Sequence, residues 1–314
     1  MKRFLPLLLG LLLILTACTS CASGTQDDDT LTVVCTSFAP YDWARNIVGD
    51  TEGIELILLA DGGKDMHSYS PSAADIMRII KCDLLIYTGG VSETWVKELI
   101  QKNDLKNTLC LLEHLGDKVK CIDHSDHHDH EGHEHDSDSA DEHVWLSLTN
   151  AMLFCAEIKN RLCAIDSVHA ETYGDNCESY SSELAALDSD YRAAVSAAKH
   201  KTLVLADRYP FRYLFDDYGI TCHAAFEGCS SDSEVSFSTL IALAQKVDEL
   251  SLDSILITES SDGKLATTVK ESTKQKNASI LTLDSLQTVT DAGNESYLGR
   301  MKNNLDILGI SLGK

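Results

Sequence analysis

The chain has 314 residues, 44% of them hydrophobic, which is room for two domains at the usual ~150 residues each. Its 49 acidic side chains outnumber 26 basic ones, for a formal charge of −23. That balance excludes nucleic acid as a partner, because phosphate recognition needs a basic footprint, and it suits a solvated surface that attracts cations.

Residues 1–17 read as a secretory signal peptide. Lys2 and Arg3 precede the apolar run FLPLLLGLLLILTA, too short to span a bilayer core of ~30 Å. The exit Leu15-Thr16-Ala17-Cys18 resembles the lipobox of bacterial lipoproteins, in which the cysteine becomes the lipidated first residue. Acyl chains on Cys18 would hold the body at the outer face of the cell membrane. The small polar stretch 18–30 reads as a flexible tether. The remaining cysteines lack zinc-finger spacing, and many sit inside apolar strings where a thiol packs as a small hydrophobe. Cys222 and Cys229 are close enough in sequence for a disulfide across a turn.

Short β-branched runs then alternate with helical patterns, which implies an α/β fold with parallel sheets covered on both faces. In the first half, 31–165, strands are expected at 31–37, 54–59, 83–87 and 108–113, and helices at 40–49, 71–80 and 92–102. Ligands of such sheets bind beyond the carboxyl ends of the strands. The loop after the second strand, DGGKDMHSYSPSAAD at 61–75, puts His67 at such a place, with Ser70 as an N-cap and Pro71 as a first helical residue. Taken alone, His67 reads equally as a surface-loop histidine.

Residues 123–142 hold nine carboxylates and six of the twelve histidines: His124, His127, His128, His130, His133 and His135. This composition cannot form a core, so a mobile loop is expected. Crowded histidines bind Zn²⁺ in many alternative pairings, giving weak sites that fade as the pH drops toward ~6.5. The loop therefore reads as an accessory metal collector or sensor; the plainer alternative is a solvated acidic loop. DEHVWLS at 141–147 follows, with His143 where polar sequence turns apolar and Ser147 positioned to cap a helix over 148–163. A histidine packed beside Trp145 is also a common core arrangement. From 166 to 200, Tyr173, Cys177, Tyr180, Leu184, Leu187, Tyr191 and Val195 recur at spacings of four and three, the buried stripe of one long linking helix.

In the second half, 201–314, strands are expected at 201–206, 221–226, 254–258 and 279–283, with helices at 211–218, 236–250 and 263–276. Asp207 ends the first of these strands, Glu259 follows the third, and Asp284 ends the last; each is also a natural helix cap. Together with the two histidines they compose a nitrogen–oxygen site drawn from both halves. Zn²⁺ accepts such a set, and Mn²⁺ does so with added carboxylate or water.

HSYSPSAAD at 67–75, DEHVWLS at 141–147, the linking helix, FRYLFDDYGI at 211–220 and SYLGRMKNNLDIL at 296–308 together resemble the metal-binding lipoproteins of zinc and manganese ABC importers, the ZnuA/TroA-like family. The resemblance implies two lobes, each a mostly parallel sheet flanked by helices, joined by one backbone helix with the ion between them. It implies His67, His143 and Asp284 as ligands and an ABC permease in the membrane as partner. Most zinc-type members carry a third histidine after the first strand of the second lobe, and here that place falls at Arg208. Asp207, Glu259, a water or a histidine of the insert is left to complete the shell. The expected function is extracytoplasmic capture of Zn²⁺, or alternatively Mn²⁺, and delivery to the permease, with no bond chemistry. A zinc-dependent hydrolase with Glu142 as general base is the competing class, but the chain has no HExxH, GxSxG or phosphate loop. A surface adhesin or metal buffer without a transporter is the third reading.

Overall fold

The computed structural model describes residues 30–122, 140–226, 228 and 235–313. The signal peptide, the tether with Cys18, the six histidines of the insert and Cys229 lie outside them. Each half of the chain builds one four-stranded, all-parallel sheet. The first contains β1 (Leu31–Cys35), β2 (Ile54–Leu58), β3 (Leu84–Tyr87) and β4 (Thr108–Cys110) in the order β2-β1-β3-β4. The second contains β5 (Thr202–Leu205), β6 (Thr221–Ala224), β7 (Ser254–Thr258) and β8 (Ser279–Leu283) in the order β6-β5-β7-β8. The two halves thus share one winding. Helices cover both faces of a parallel sheet, so central strands read as unbroken apolar runs; Val33, Val34, Leu84, Leu85 and Ile86 are fully buried.

The first lobe carries α1 (Phe38–Val48), α2 (Ala73–Lys81), α3 (Thr94–Asn103), the short α4 (Leu111–Leu115) and α5 (Leu148–Ile165). The second carries α7 (Arg212–Tyr218), α8 (Phe237–Leu250), α9 (Lys264–Ser272) and α10 (Tyr297–Ser311). Between them a 3-10 turn, Ser167–His169, opens the linking helix α6 (Ala170–Ser196). Its 27 residues reach about 40 Å at ~1.5 Å per residue. All seven residues of the expected stripe are buried along it. Near its end, Tyr191 stacks on Tyr218 at 4.9 Å between ring centroids, and its hydroxyl donates to the Met301 carbonyl at 2.6 Å.

The seam between lobes is polar and stitched. Asp42, fully buried on α1, accepts from the backbone N of Tyr297 at the start of α10 (3.0 Å), from the Tyr180 hydroxyl on α6 (3.2 Å) and from Arg45. Arg45 also donates to the carbonyls of Ala292 and Glu295. Trp145 Nε1 donates to the Ser285 carbonyl at 2.9 Å, and the Tyr297 hydroxyl returns a bond to the Trp145 carbonyl at 2.6 Å. One apolar cluster runs through this seam from β1 to α10. Among the described residues, no helix is long and apolar enough to cross a membrane.

Most boundaries differ by a residue or two from the sequence-based expectation, and a few differ by more. The run 108–113 stays a strand only to Cys110; Leu111, Leu112 and Leu115 then bury one face of α4, a change of period that an unbroken apolar run conceals. The helix expected at 71–80 begins at Ala73, because Ser72 rather than Ser70 caps it. Ser72 Oγ accepts from Asp75 N at 3.2 Å while Asp75 Oδ2 accepts from Ser72 N at 2.9 Å, a reciprocal box that Ser70 cannot form because the residue three on from it is Ala73. The linking helix is shorter than 166–200. The helix expected at 263–276 ends at Ser272, where Thr273 Oγ1 donates to Lys270 O and accepts from Lys276 N, offering the backbone an alternative to another turn. Ser147 caps α5 as expected, accepting from Asn150 N at 3.0 Å.

Asp42→Ala should lower the free energy of unfolding by roughly 3–5 kcal/mol, the cost of stranding buried partners of a charge. A denaturant midpoint unchanged from wild type would show that the seam does not depend on this carboxylate.

Candidate metal centre

His67 and His143 reach the same point from two rigid turns. His67 is the middle residue of a 3-10 turn, Met66–Ser68, that follows β2; Asp65 caps it by accepting from His67 N at 2.8 Å, and Met66 anchors it in the core. His143 opens the turn Val144–Leu146, whose three apolar side chains are buried. Asp141 Oδ1 accepts from both the backbone N of His143 (2.9 Å) and its ring Nδ1 (2.8 Å). Asp141 is itself buried, with Arg212 Nε 3.4 Å from its other oxygen and the Tyr213 hydroxyl donating to its carbonyl at 3.2 Å. Burial opposes its ionisation, but the neighbouring His143 and Arg212 outweigh this and hold its carboxyl below the usual range.

The partners decide the tautomers. His143 Nδ1 donates to Asp141, which leaves a lone pair on Nε2. His67 Nδ1 stands 2.7 Å from Ser92 Oγ, a hydroxyl able to donate or accept, and 3.7 Å from Glu142 Oε2, whose negative charge favours a proton on Nδ1 and a lone pair on Nε2. The two Nε2 atoms are 3.1 Å apart, with ring planes tilted by 57°. A proton on one Nε2 can bridge to the other, and a cation between them can take its place. Two nitrogens at ~2.0–2.1 Å from one tetrahedral Zn²⁺ stand about 3.3 Å apart, close to the observed spacing. Burial above all, then His143 and Arg208, pushes His67 down to about 3, with Asp141 opposing, so the ring is neutral and ready to coordinate at ordinary pH.

The second lobe presents its acidic residues differently. Asp284 is clamped by Arg300, whose Nε and a terminal nitrogen each donate to one carboxylate oxygen at 2.6 Å, and Leu286 N donates at 2.8 Å. Asp207 accepts from Arg208 N (2.8 Å), Thr258 N (3.2 Å) and the Thr258 hydroxyl (3.0 Å). Glu259 accepts from Ser285 N and Oγ at 2.8 and 2.6 Å, and burial, then Asp284, raise its carboxyl above the ordinary value. The imidazoles are therefore brought together, while Asp284, Asp207 and Glu259 are each occupied by their own lobe. Among the described residues, no three His, Cys, Asp or Glu side chains gather closely enough to hold a metal between them.

Sequence reasoning passed over Ser92, Arg212 and Arg300 as supports of this centre. Only the Asp141-Glu142-His143 spacing carried a signal, since a carboxylate two residues before a histidine can bond both its backbone and its ring. It also passed over Glu93, buried at the start of α3, which accepts from Gly89 N at 2.7 Å. Burial pushes its carboxyl up to about 7 against hydrogen bonds from Thr36 and Gly89, with Glu142 adding repulsion. The fold thus favours the protonated form of Glu93, and its stabilising contribution is present at acid pH and lost as the pH rises through about 7.

Two parallel-sheet lobes on one linking helix, with two imidazoles facing each other, make up the frame of this chain. A family described as zinc-uptake complex component A, periplasmic (ZnuA), matches residues 33–309, and the chain belongs to that family. It is 31% identical over 291 residues to the zinc-binding lipoprotein AdcA of Streptococcus pneumoniae serotype 4, covering 92% of this chain and 57% of that protein. The chain therefore spans little more than half the length of this relative. The crystal structure of the Zn(II)-bound ZnuA-like domain of the S. pneumoniae protein superposes with a TM-score of 0.72 at 28% identity, covering 91% of this chain and all of that one. The metal ABC transporter substrate-binding lipoprotein SsaB of Streptococcus sanguinis is 28% identical over 99% of this chain and 98% of its own length.

Glu93→Gln should flatten the fall in stability between about pH 5 and pH 8 and leave the variant more stable than wild type at the upper end, by on the order of 1 kcal/mol. Urea melts across that pH range measure it, and parallel curves for the two proteins would refute the assignment.

Proposed function

We propose that the chain is the extracytoplasmic substrate-binding lipoprotein of a metal ABC importer, capturing Zn²⁺ in the interlobe cleft and handing it to a membrane permease. The observation that carries this reading is the pair of Nε2 atoms 3.1 Å apart, each on a ring whose Nδ1 is already engaged. His67 and His143 are the fixed ligands. Asp284 completes the set when Arg300 releases it; Arg300 also donates to Thr288 O at 2.7 Å and lies 3.4 Å from Glu295, so it has other partners to keep. Asp207, Glu259 or water supplies the remaining position. Residues 1–17 direct export, Cys18 carries the lipid, and 18–30 tethers the body at the cell membrane. The names of AdcA and SsaB support cargo and context alike.

Mn²⁺ is the alternative cargo. Two imidazoles favour Zn²⁺, since Mn²⁺ stands lowest in the affinity order for nitrogen ligands. The hydrolase reading is weaker still. Glu142 sits on the Nδ1 side of His67, 3.7 Å away, behind the ring and not beside a water on a metal at Nε2.

Metal analysis and competitive titration of the mature chain, with and without residues 123–140, should find one tight Zn²⁺ that survives the deletion. Loss of the tight ion with the loop would overturn the fixed site. His67→Ala should abolish tight binding while leaving the metal-free melting curve nearly unchanged. Because burial, His143 and Arg208 push His67 down to about 3, the tight site should keep its affinity between pH 7 and about 5.5, where solvent-exposed histidines weaken. A steep loss through pH 6.5 would count against the buried pair.

A further inference from the structure

Glu142 is a buried carboxylate at this centre with neither a cationic side chain beside it nor hydrogen bonds to both of its oxygens. It is 6% exposed, and among the described residues no Lys or Arg pairs with it. Its Oε1 accepts from Ser92 N at 2.8 Å, but Oε2 is buried with no hydrogen-bond partner and lies 3.7 Å from His67 Nδ1. Asp141 is paired with Arg212 and His143 and Asp284 with Arg300, while Asp207 and Glu259 take hydrogen bonds at both oxygens. The backbone makes room for this exception. Gly90 has φ +84°, and a Cβ there would stand 2.5 Å from Glu142 Cγ and Oε1. Any other residue at 90 would push the carboxylate out.

A buried carboxylate without a cation is unfavourable, and removing its charge while keeping its shape relieves that cost. A dication on His67 Nε2 supplies the missing positive charge from the far side of the ring. We propose that Glu142 is a positioning residue for His67 and the electrostatic counterweight to the bound metal: it penalises the empty cleft and favours the filled one. Its charge, 3.7 Å from Nδ1, favours a proton on that nitrogen and so a lone pair on Nε2 toward the cleft. It also opposes the positive charge of Arg208, which bears on the same ring. This rests on the reading of His67 and His143 as metal ligands.

The sign of the effect separates this role from a structural one. A residue that merely supports the fold destabilises the metal-free protein when altered. Glu142→Gln should instead raise the melting temperature of the metal-free chain, shrink the increment that Zn²⁺ adds, and weaken Zn²⁺ affinity about tenfold, the lower end of what outer-shell changes cost. Ring ¹⁵N shifts of His67 should show one Nδ1–H tautomer in wild type and a mixture in the variant. An unchanged or lowered metal-free melting temperature, unchanged affinity, or an unaltered tautomer would each overturn the proposal. His67→Ala tests the underlying site alone: tight Zn²⁺ retained there would defeat the ligand assignment whatever Glu142→Gln does to the metal-free protein.

Discussion

Asp42 touches no ligand, yet three separate parts of the molecule converge on it. Its carboxylate takes a backbone N–H from the start of α10, a hydroxyl from the linking helix and a guanidinium from its own helix. Burial raises its carboxyl, and the bonds from Tyr297, Arg45 and Tyr180 work against that rise. A group so placed is stabilising only while every partner is present. The lobes are thereby held in one relation, and the Trp145–Ser285 and Tyr297–Trp145 bonds repeat the constraint two residues from His143. A cleft whose walls slid by an ångström would not keep a metal-ligand geometry.

Within that frame the two lobes present different faces to a cation. The first offers two imidazoles facing each other, with carboxylates behind them. The second offers carboxylates that its own arginines, hydroxyls and amides have taken up. Among the described residues, no acidic side chain of the second lobe joins the two imidazoles. Asp284 is held by Arg300, which also has a carbonyl and a second carboxylate within reach. Arg208, just after β5, adds a positive charge that bears on His67.

Much of the architecture was legible from residue order. Central strands such as Val33–Val34 and Leu84–Ile86 are continuous apolar runs because both sheet faces are covered, and the stripe from Tyr173 to Val195 announced its helix. Boundaries were legible only where a side chain declares them, as Ser147 does. They were lost where competing caps lie two residues apart, as with Ser70 and Ser72, or where an apolar run changes period without a polar break, as at Cys110–Leu111. His67 and His143 were legible as candidates from their places beyond strand ends. Their pairing was not, since each also fits an ordinary surface or core role.

The sequence alone determined that there are two parallel α/β lobes, a long linking helix, an acidic body and a set of chemically suitable ligands. These follow from periodicity and composition, which are local properties of the chain. Only the tertiary structure decided which of those ligands are free to act. Whether an imidazole faces another at 3.1 Å, whether Asp284 is open or held by an arginine sixteen positions on, and whether Glu142 has a counter-ion all depend on through-space neighbours. Electrostatic energy depends on distance and burial, and sequence spacing encodes neither.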